Sequence, residues 1–375
     1  MSCPPVAVRS NVAPKTTSDL APAVTKAGSW PAPPVASTPQ KRGITNGRRL
    51  LWLGVLIAVL VGVVLLSLAV GSRAIAPGTV LDALFAFDPG NGDHAVVGSR
   101  LVRTVVGVVV GLALGLAGTS MQGVARNPLA DPGILGINAG AALAVVAGIF
   151  FFGAAGISHY LWFAFAGSAV AAVVVYAVAS LGRSGATPVK LALAGAAMAA
   201  GMGSLMSAML VSSQDSLELF RSWQVGALVG KSWESVLSVL PFMAVGVAIL
   251  LCTGRLLNTL ALGDDMARGL GQRPGLGRAV SALGIVLLCG SATALAGPIA
   301  FIGLVVPHLL RGLVGPDYRW LLPLSVVAAP TILLLADIVG RVILLPGEVP
   351  AGILAAMLGA PVFIAVVRRG KRAEL

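Results

Sequence analysis

Long stretches without a charged residue divide this sequence, and one of them limits the possible folds most. Residues 104–125 are 22 consecutive positions that contain no Asp, Glu, Lys or Arg. At a rise of about 1.5 Å per residue, a helix of this length crosses a bilayer core of roughly 30 Å. Gly107, Gly111, Gly115 and Gly118 recur at three- or four-residue spacing, which lets neighbouring backbones approach one face closely. The run therefore predicts a membrane-spanning helix inside a bundle.

Further apolar runs predict the remaining spans. They cover residues 50–72, 132–182, 191–211, 235–253, 279–310, 320–338 and 349–367. The second run is long enough for two helices, divided near residues 153–159. The run at 279–310 is interrupted by Gly297 and Pro298, so it fits either one long kinked helix or two short spans. With 57% hydrophobic and 11% charged residues and a mean hydropathy of +0.93, a soluble domain is excluded.

The basic residues decide between nine and ten spans. With ten spans, seventeen flanking basic residues lie on one side and six on the other; the six are Arg73, Arg100, Arg103, Arg221, Lys231 and Arg341. The positive-inside rule then places both termini in the cytoplasm, whereas nine spans would put the basic C-terminal tail outside. We therefore predict an all-α, polytopic protein of the cytoplasmic membrane with ten transmembrane helices.

One part of the chain is expected to be disordered and the other to be folded. Residues 1–41 are rich in Pro, Ala, Ser, Thr and Val and show no periodic apolar face, so they are predicted to be a disordered cytoplasmic tail. Residues 42–375 hold all of the apolar runs. They are predicted to form a single transmembrane domain.

The scarcity of chemically active groups restricts the function. The net charge of +12 does not indicate nucleic-acid binding, because the basic residues lie between apolar runs. At membrane depth, Asp337 and His308 are the ionisable candidates, which is few for a proton-coupled carrier. No sequence motif of an enzyme or a metal site is present, and Cys3, Cys252 and Cys289 are dispersed. A secondary carrier and a membrane enzyme stay as alternatives, but these patterns favour a transporter driven by another chain.

One polar segment between spans has two interpretations. Residues 262–271 read "LGDDMARGLG", and charged Gly-rich segments of this kind are often solvated loops. The segment also fits a short helix on the membrane surface that contacts a partner. Asp264 and Asp265 would then suit the positive end of the helix dipole, and Gly271 could end the helix.

Six motifs in order resemble a known family. They are "RLVR" from Arg100, "NPLADPGILG" from Asn127, "LALGDDMARGLG" from Leu260, "GPIAFIGLVVPH" from Gly297, "LLLADIVGR" from Leu333 and "LGAPVFI" from Leu358. Together they resemble the permease subunits of ABC importers for iron-siderophores, haem and vitamin B12, the type II importers. The resemblance covers residues 50–369, and the sequence of this region is most similar to those of ferric-siderophore permeases of the enterobactin type.

The resemblance implies a set of partners and a mechanism. Two permease subunits, identical or paralogous, would surround a central pathway, with two ATPase subunits below and an extracytoplasmic substrate-binding protein above. ATP would be bound by the ATPase subunits, so no cofactor is expected in this chain. The chain would not be an enzyme, and its cargo would be a ferric siderophore, with haem or vitamin B12 as the alternatives within the family.

The resemblance also assigns residues to the two ends of the pathway. The positions that match the ATPase-coupling helix are Leu262, Gly263, Asp264, Asp265, Ala267, Arg268, Leu270 and Gly271. Of these, Arg268 and the aspartates are expected to make polar contacts, and Ala267 and Leu270 to pack against the ATPase. The outer arginines that dock the binding protein through its glutamates match Arg100, Arg103 and Arg341. Without the resemblance, simple interfacial placement would explain those arginines.

The fifth span and the turn before it match the family's pathway and cytoplasmic gate. The residues assigned there are Thr187, Pro188, Met198, Met202 and Met206. Thr187 stands where the family has small hydroxyl residues, but Pro188 departs from its Ser/Thr run. Packing is the alternative role for the methionines, because methionine often fills gaps between helices.

Overall fold

The computed structural model describes residues 45–71, 73–153, 157–182 and 187–372, and these residues form a bundle of α-helices. The predicted tail of residues 1–41 lies outside the described residues. In chain order the helices are α1 (Asn46–Ala69), α2 (Pro77–Phe85), α3 (Gly92–Ala125), α4 (Ile137–Phe152), α5 (Ile157–Ser180), α6 (Pro188–Ser212), α7 (Gln214–Gln224), α8 (Trp233–Cys252), α9 (Gly254–Ala261), α10 (Asp264–Gly269), α11 (Pro274–Ala296), α12 (Ile302–Val314), α13 (Tyr318–Val342) and α14 (Ala351–Arg372).

Ten apolar helices match the ten predicted spans in position, but not all of them are long. Within the described residues, seven helices have the length and composition to cross a membrane: α1, α3, α5, α6, α8, α11 and α13. The apolar helices α4, α12 and the Ala351–Ile364 part of α14 are shorter. The polytopic all-α fold is therefore confirmed, while the count of ten complete crossings stays a prediction.

The two ambiguous runs are resolved by glycine-containing breaks. The run at 132–182 divides after α4, where Gly153 ends the helix with φ of 58°, as predicted. The run at 279–310 forms two helices, α11 and α12, so the single kinked helix is excluded. Gly297, at φ of 78°, ends α11, and Phe301, at φ of 69°, precedes α12. Both residues adopt the left-handed region, which an α-helix cannot pass through.

Helix α3 differs from the prediction because it begins earlier. The apolar run predicted a span from residue 104, but α3 starts at Gly92, where the Asn91 side chain accepts a hydrogen bond from the backbone N–H of Asp93. Part of the remaining loop forms α2. With 34 residues, α3 is about 51 Å long. Arg100 and Arg103 therefore lie within the helix rather than before it.

The centre of the bundle is built around α3, α11 and α13. In each of these helices, more than half of the most apolar 18-residue window is buried: 61% in α3, 67% in α11 and 67% in α13. The predicted small face of α3 makes this packing possible. A Cβ atom on Gly111 would lie 2.5 Å from the Cα of Pro330 in α13, and one on Gly118 would overlap the backbone of Gly303 in α12. Only glycine permits these approaches.

Two other spans have few buried residues and differ in how apolar they are. In α1, 11% of the apolar window is buried and its mean hydropathy is 2.9, whereas in α6 these values are 6% and 1.5. The face of α1 suits contact with lipid. Helix α6 is the least apolar of the seven long spans, and its exposed positions include Gly201 and Ser204. A span of this kind is better suited to contact with another helix or with a transport pathway than to contact with lipid hydrocarbon.

Candidate functional site

A buried cluster of charged side chains joins three helices at one end of the bundle. Asp337 on α13 is fully buried and accepts hydrogen bonds from the Nε and Nη2 atoms of Arg103 on α3 at 2.8–3.1 Å. Arg341, one turn along α13, donates to the same carboxylate through Nε at 3.0 Å. A second carboxylate, that of Glu348, accepts from Nη1 of Arg103 at 2.6 Å. The cluster fixes α3 against α13.

The arginines of this cluster also hold the end of α1. Nη1 of Arg341 donates to the carbonyl oxygens of Ser67 and Val70 at 2.6 and 3.2 Å. Arg100 donates to the carbonyl oxygens of Leu68, Ala69 and Arg73 at 3.0, 2.9 and 2.5 Å. The last carbonyl groups of a helix have no partner within the helix and carry partial negative charge. Two guanidinium groups therefore cap the C-terminus of α1.

A polar cavity of about 310 Å³ lies against this cluster. Its lining includes the three predicted docking residues, Arg100, Arg103 and Arg341, together with Lys231 and Glu348. Burial lowers the pKa of Lys231 from 10.5 to about 8. Four cationic side chains and one carboxylate thus face the same space. Such a cavity favours an anionic group.

The structure places the predicted docking arginines more deeply than we expected. All three are buried, and all three have hydrogen-bond partners within this chain. An external carboxylate could reach them only by entering the cavity. Sequence reasoning identified Asp337 and the arginines separately but missed their pairing, and it missed Glu348 and Ser67. The spacing of Asp337 and Arg341, four residues apart on one helix, was a usable signal.

At the opposite end of α3, Asp264 connects three elements. Its carboxylate forms ion pairs with Arg126 and, at 2.6 Å, with Arg278 of α11. Arg126 ends α3 in the left-handed conformation, with φ of 49°, which is an uncommon backbone state for a residue other than glycine. Asp264 itself begins α10. The predicted short helix is confirmed, and Asp264 binds it to α3 and α11.

Large apolar side chains are exposed in and beside α10. Leu262 before the Gly263 turn, Met266 within α10 and Leu270 directly after it are 62%, 60% and 61% exposed, and we call these three side chains the apolar row. Ala267, which we expected to pack against a partner, is instead fully buried in the core of this chain. It packs α10 against the core of this chain. Sequence reasoning missed Met266, although its spacing from Leu262 and Leu270 could have revealed it.

The remaining polar residues of the predicted coupling segment are accessible. Asp265 and Arg268 form an ion pair with each other at 2.9 Å, and both side chains are largely exposed. Gly263 and Gly271 flank the helix with φ of 109° and 77°, in a region that glycine adopts readily. The segment is thus a short helix between two glycine turns. It presents an apolar row with charged groups beside it.

The predicted gate residues lie at the start of α6 and along it. Thr187 caps the helix, since its hydroxyl accepts from the backbone N–H of Lys190 at 3.4 Å, and Pro188 is the first helical residue, where proline is favoured. Residues 183–186 of the same turn lie outside the described residues. Met198, Met202 and Met206 are half-buried, and Met198 and Met206 pack against the main core. The exposed face of α6 carries both small residues, such as Gly201 and Ser204, and aliphatic ones, such as Leu193.

Comparison with known proteins identifies close relatives over most of the chain. The FecCD transport family matches residues 57–369. The ferric enterobactin transport system permease protein FepD of Escherichia coli is 43% identical over 317 residues, which cover 84% of this chain and 95% of that protein. The Fe(3+)-citrate import system permease protein YfmD of Bacillus subtilis is 40% identical over 307 residues, 82% and 91% of the two chains.

A solved structure has the same fold. It is an inward-facing conformation of a metal-chelate type ABC transporter, and it matches this chain with a TM-score of 0.73 and 27% sequence identity. The match covers 85% of this chain and 99% of the other. Similarity in sequence and in structure therefore extends over nearly the whole length of these relatives.

Proposed function

This chain belongs to the FecCD transport family and is a permease subunit of an ABC importer, and we propose that its cargo is a ferric siderophore. The relatives named for ferric enterobactin and Fe(3+)-citrate support an iron chelate as the cargo. The importer would work by alternating access, driven by separate ATPase subunits. Both chain termini, and the end of the bundle that carries α10, would face the cytoplasm.

The observation that carries the mechanism is the exposed apolar row of Leu262, Met266 and Leu270. A row of large apolar side chains on a charged, membrane-flanking segment is typical of a surface that a partner covers. We assign this surface to the ATPase, with Asp265 and Arg268 as polar contacts at its edge. Gly263 and Gly271 would let the short helix tilt.

The ion pairs of Asp264 provide a route from α10 into the bundle. A displacement of α10 by the ATPase would act on α3 through Arg126 and on α11 through Arg278, and both helices belong to the buried centre. Because α3 is about 51 Å long, it reaches the charged cluster at the other end of the bundle. A rigid helix of this kind can transmit a small displacement between distant sites.

The exposed face of α6 is our candidate for the central pathway and for contact with a second permease subunit. Gly201 and Gly203 have open space around the position of a Cβ atom, and α6 is the least apolar of the seven long spans. The half-buried Met198, Met202 and Met206 would border this face. Thr187 and Pro188 would fix the cytoplasmic start of the helix, where the gate is proposed.

Uptake by the reconstituted importer tests the function. We expect proteoliposomes that contain this chain, its second permease, the ATPase and the binding protein to accumulate a ferric siderophore when ATP is supplied. Liposomes without the ATPase should accumulate none, even with an imposed proton gradient. Haem and cobalamin serve as competing cargoes in parallel assays. Accumulation against a gradient without the ATPase would contradict the proposal.

The cavity at the other end of α3 is our candidate for docking the binding protein, through Arg100, Arg103, Arg341 and Lys231. Charge reversal at the arginines would also break the contacts that hold α1 and α13, so Lys231 is the better test. With a pKa of about 8, its amine is mostly charged at pH 7 and mostly neutral at pH 9. Attraction to an acidic partner should therefore decrease as the pH rises.

Binding of the substrate-binding protein should show this pH dependence. We expect its affinity to fall between pH 7 and pH 9 by roughly two- to fivefold, the effect of about 0.5–1 kcal/mol for one charge pair. The Lys231→Arg variant should remove the decrease, because arginine stays charged, and Lys231→Gln should have the lower affinity at both pH values. Surface plasmon resonance measures all three. An identical pH profile in the arginine variant would rule out Lys231 as the titrating group.

A further inference from the structure

An apolar groove runs along the outside of the bundle between α5, α8 and α11. Its volume is about 420 Å³. On α11 it is lined by Ala279, Ala282, Leu283 and Val286, a helical spacing of three or four residues that defines one face. Among the residues that line it, Tyr176 on α5 alone has a polar side chain. The three helices are long apolar spans, so this groove lies within the membrane.

The groove has the length of one leaflet. Its far end is formed by Phe165 of α5 and Phe242 of α8, whose ring centroids are 4.6 Å apart. Its near end is at Tyr176, whose hydroxyl donates to the carbonyl oxygen of Gly275 at 3.4 Å. The α5 segment from Phe165 to Ala177 spans about 18 Å, which is close to half of a bilayer core of roughly 30 Å. The groove thus runs from mid-membrane to the end that carries α10.

Positive charge is in excess at that end. Arg126, Arg268, Arg273 and Arg278 lie there, but only two carboxylates, those of Asp264 and Asp265, pair with them. Arg273 directly precedes α11, is exposed, and forms no ion pair within the described part of the chain. In Arg278, Nη2 binds Asp264 while the buried Nε finds no acceptor among the described residues.

We propose that this groove binds an acyl chain of an anionic phospholipid, with the phosphate held by Arg273 at its basic end. A hydrocarbon chain matches an apolar groove as long as one leaflet, and a phosphate matches the charge at its end. A second copy of this chain is a poorer occupant. The proposed function assigns contact with a second permease subunit to α6, and no residue of α6 lines this groove.

Native mass spectrometry of the intact importer tests this site directly. The complex is exchanged into detergent that contains palmitoyl-oleoyl phosphatidylglycerol or phosphatidylcholine with the same chains. We expect retention of phosphatidylglycerol over phosphatidylcholine. Arg273→Gln should reduce that preference roughly fivefold, the effect expected for one basic residue near a membrane surface. The readout is bound lipid, so it does not depend on the cargo or on ATP hydrolysis.

Two matched variants locate the lipid. Ala177 and Ala166 are both exposed residues of α5, but only Ala177 lines the groove. Ala177→Trp should fill the groove and abolish retention of phosphatidylglycerol, as should Ala282→Trp on the opposite wall, whereas Ala166→Trp should retain it. Equal retention by Ala177→Trp and Ala166→Trp would overturn the proposal. So would equal retention of the two lipids by the unmodified complex, which would indicate only a general lipid annulus.

Discussion

Replacing Asp337 with asparagine is expected to destabilise the folded permease by about 3–5 kcal/mol, the cost of breaking a buried ion pair by removing one partner. Asp337 is fully buried and binds two arginines. Without its charge, the guanidinium groups of Arg103 and Arg341 would lie close together in the membrane-spanning part of the protein. Glu348, the Ser67 hydroxyl and backbone carbonyl oxygens would then be left to offset them.

Thermal unfolding in detergent, together with the yield from the membrane, measures this effect. Glu348→Gln is the matched control, because its side chain is 34% exposed against 0% for Asp337. Among the described residues it pairs with Arg103 alone, and its loss should cost about 1 kcal/mol or less. Adding Arg103→Gln to Asp337→Asn should cost less than the sum of the single changes, since the residues are in contact. A melting temperature for Asp337→Asn equal to that of the unmodified protein would contradict the ion-pair account.

Placing a charge on the exposed row of α10 is expected to separate the permease from its ATPase. In Leu270→Asp or Met266→Asp, an apolar side chain at the proposed interface becomes a carboxylate that must be desolvated. If these residues are hot spots, each change costs at least about 2 kcal/mol, or roughly a thirtyfold loss of affinity. The permease itself should stay folded, because substitutions of exposed residues usually change stability by no more than about 0.5 kcal/mol.

Co-purification of the ATPase and ATP-driven uptake should therefore both fail in these variants, while permease expression stays normal. Leu344→Asp is the matched control: Leu344 is 61% exposed, as is Leu270, but it lies beyond the outer end of α13. This control should retain the ATPase. If Leu270→Asp and Met266→Asp bound the ATPase as well as Leu344→Asp does, the coupling surface would have to be sought elsewhere, and the assignment of the apolar row would be wrong.

Much of the fold was predictable because a bilayer makes hydropathy a direct structural signal. The apolar runs became helices, and the glycine face of α3 became a close contact surface with α12 and α13. The short helix at residues 264–269 was also predictable, from its acidic start and its flanking glycines. The start of α3 was not. Arg100 and Arg103 looked like the end of a loop, since an arginine inside a span is unfavourable unless it has a partner.

The sequence by itself determined the membrane-spanning helices, the family and the set of residues at the two ends of the bundle, because these depend on local runs and ordered motifs. Only the tertiary structure decided what those residues contact. Arg103 binds Asp337, which lies 234 positions away in the sequence. Arg341 binds Ser67 at the end of α1, 274 positions away. Asp264 joins α3 to α11, and Ala267 is buried while Met266 is exposed. Pairing across such separations follows from how the helices pack, and no periodicity in a single helix records it.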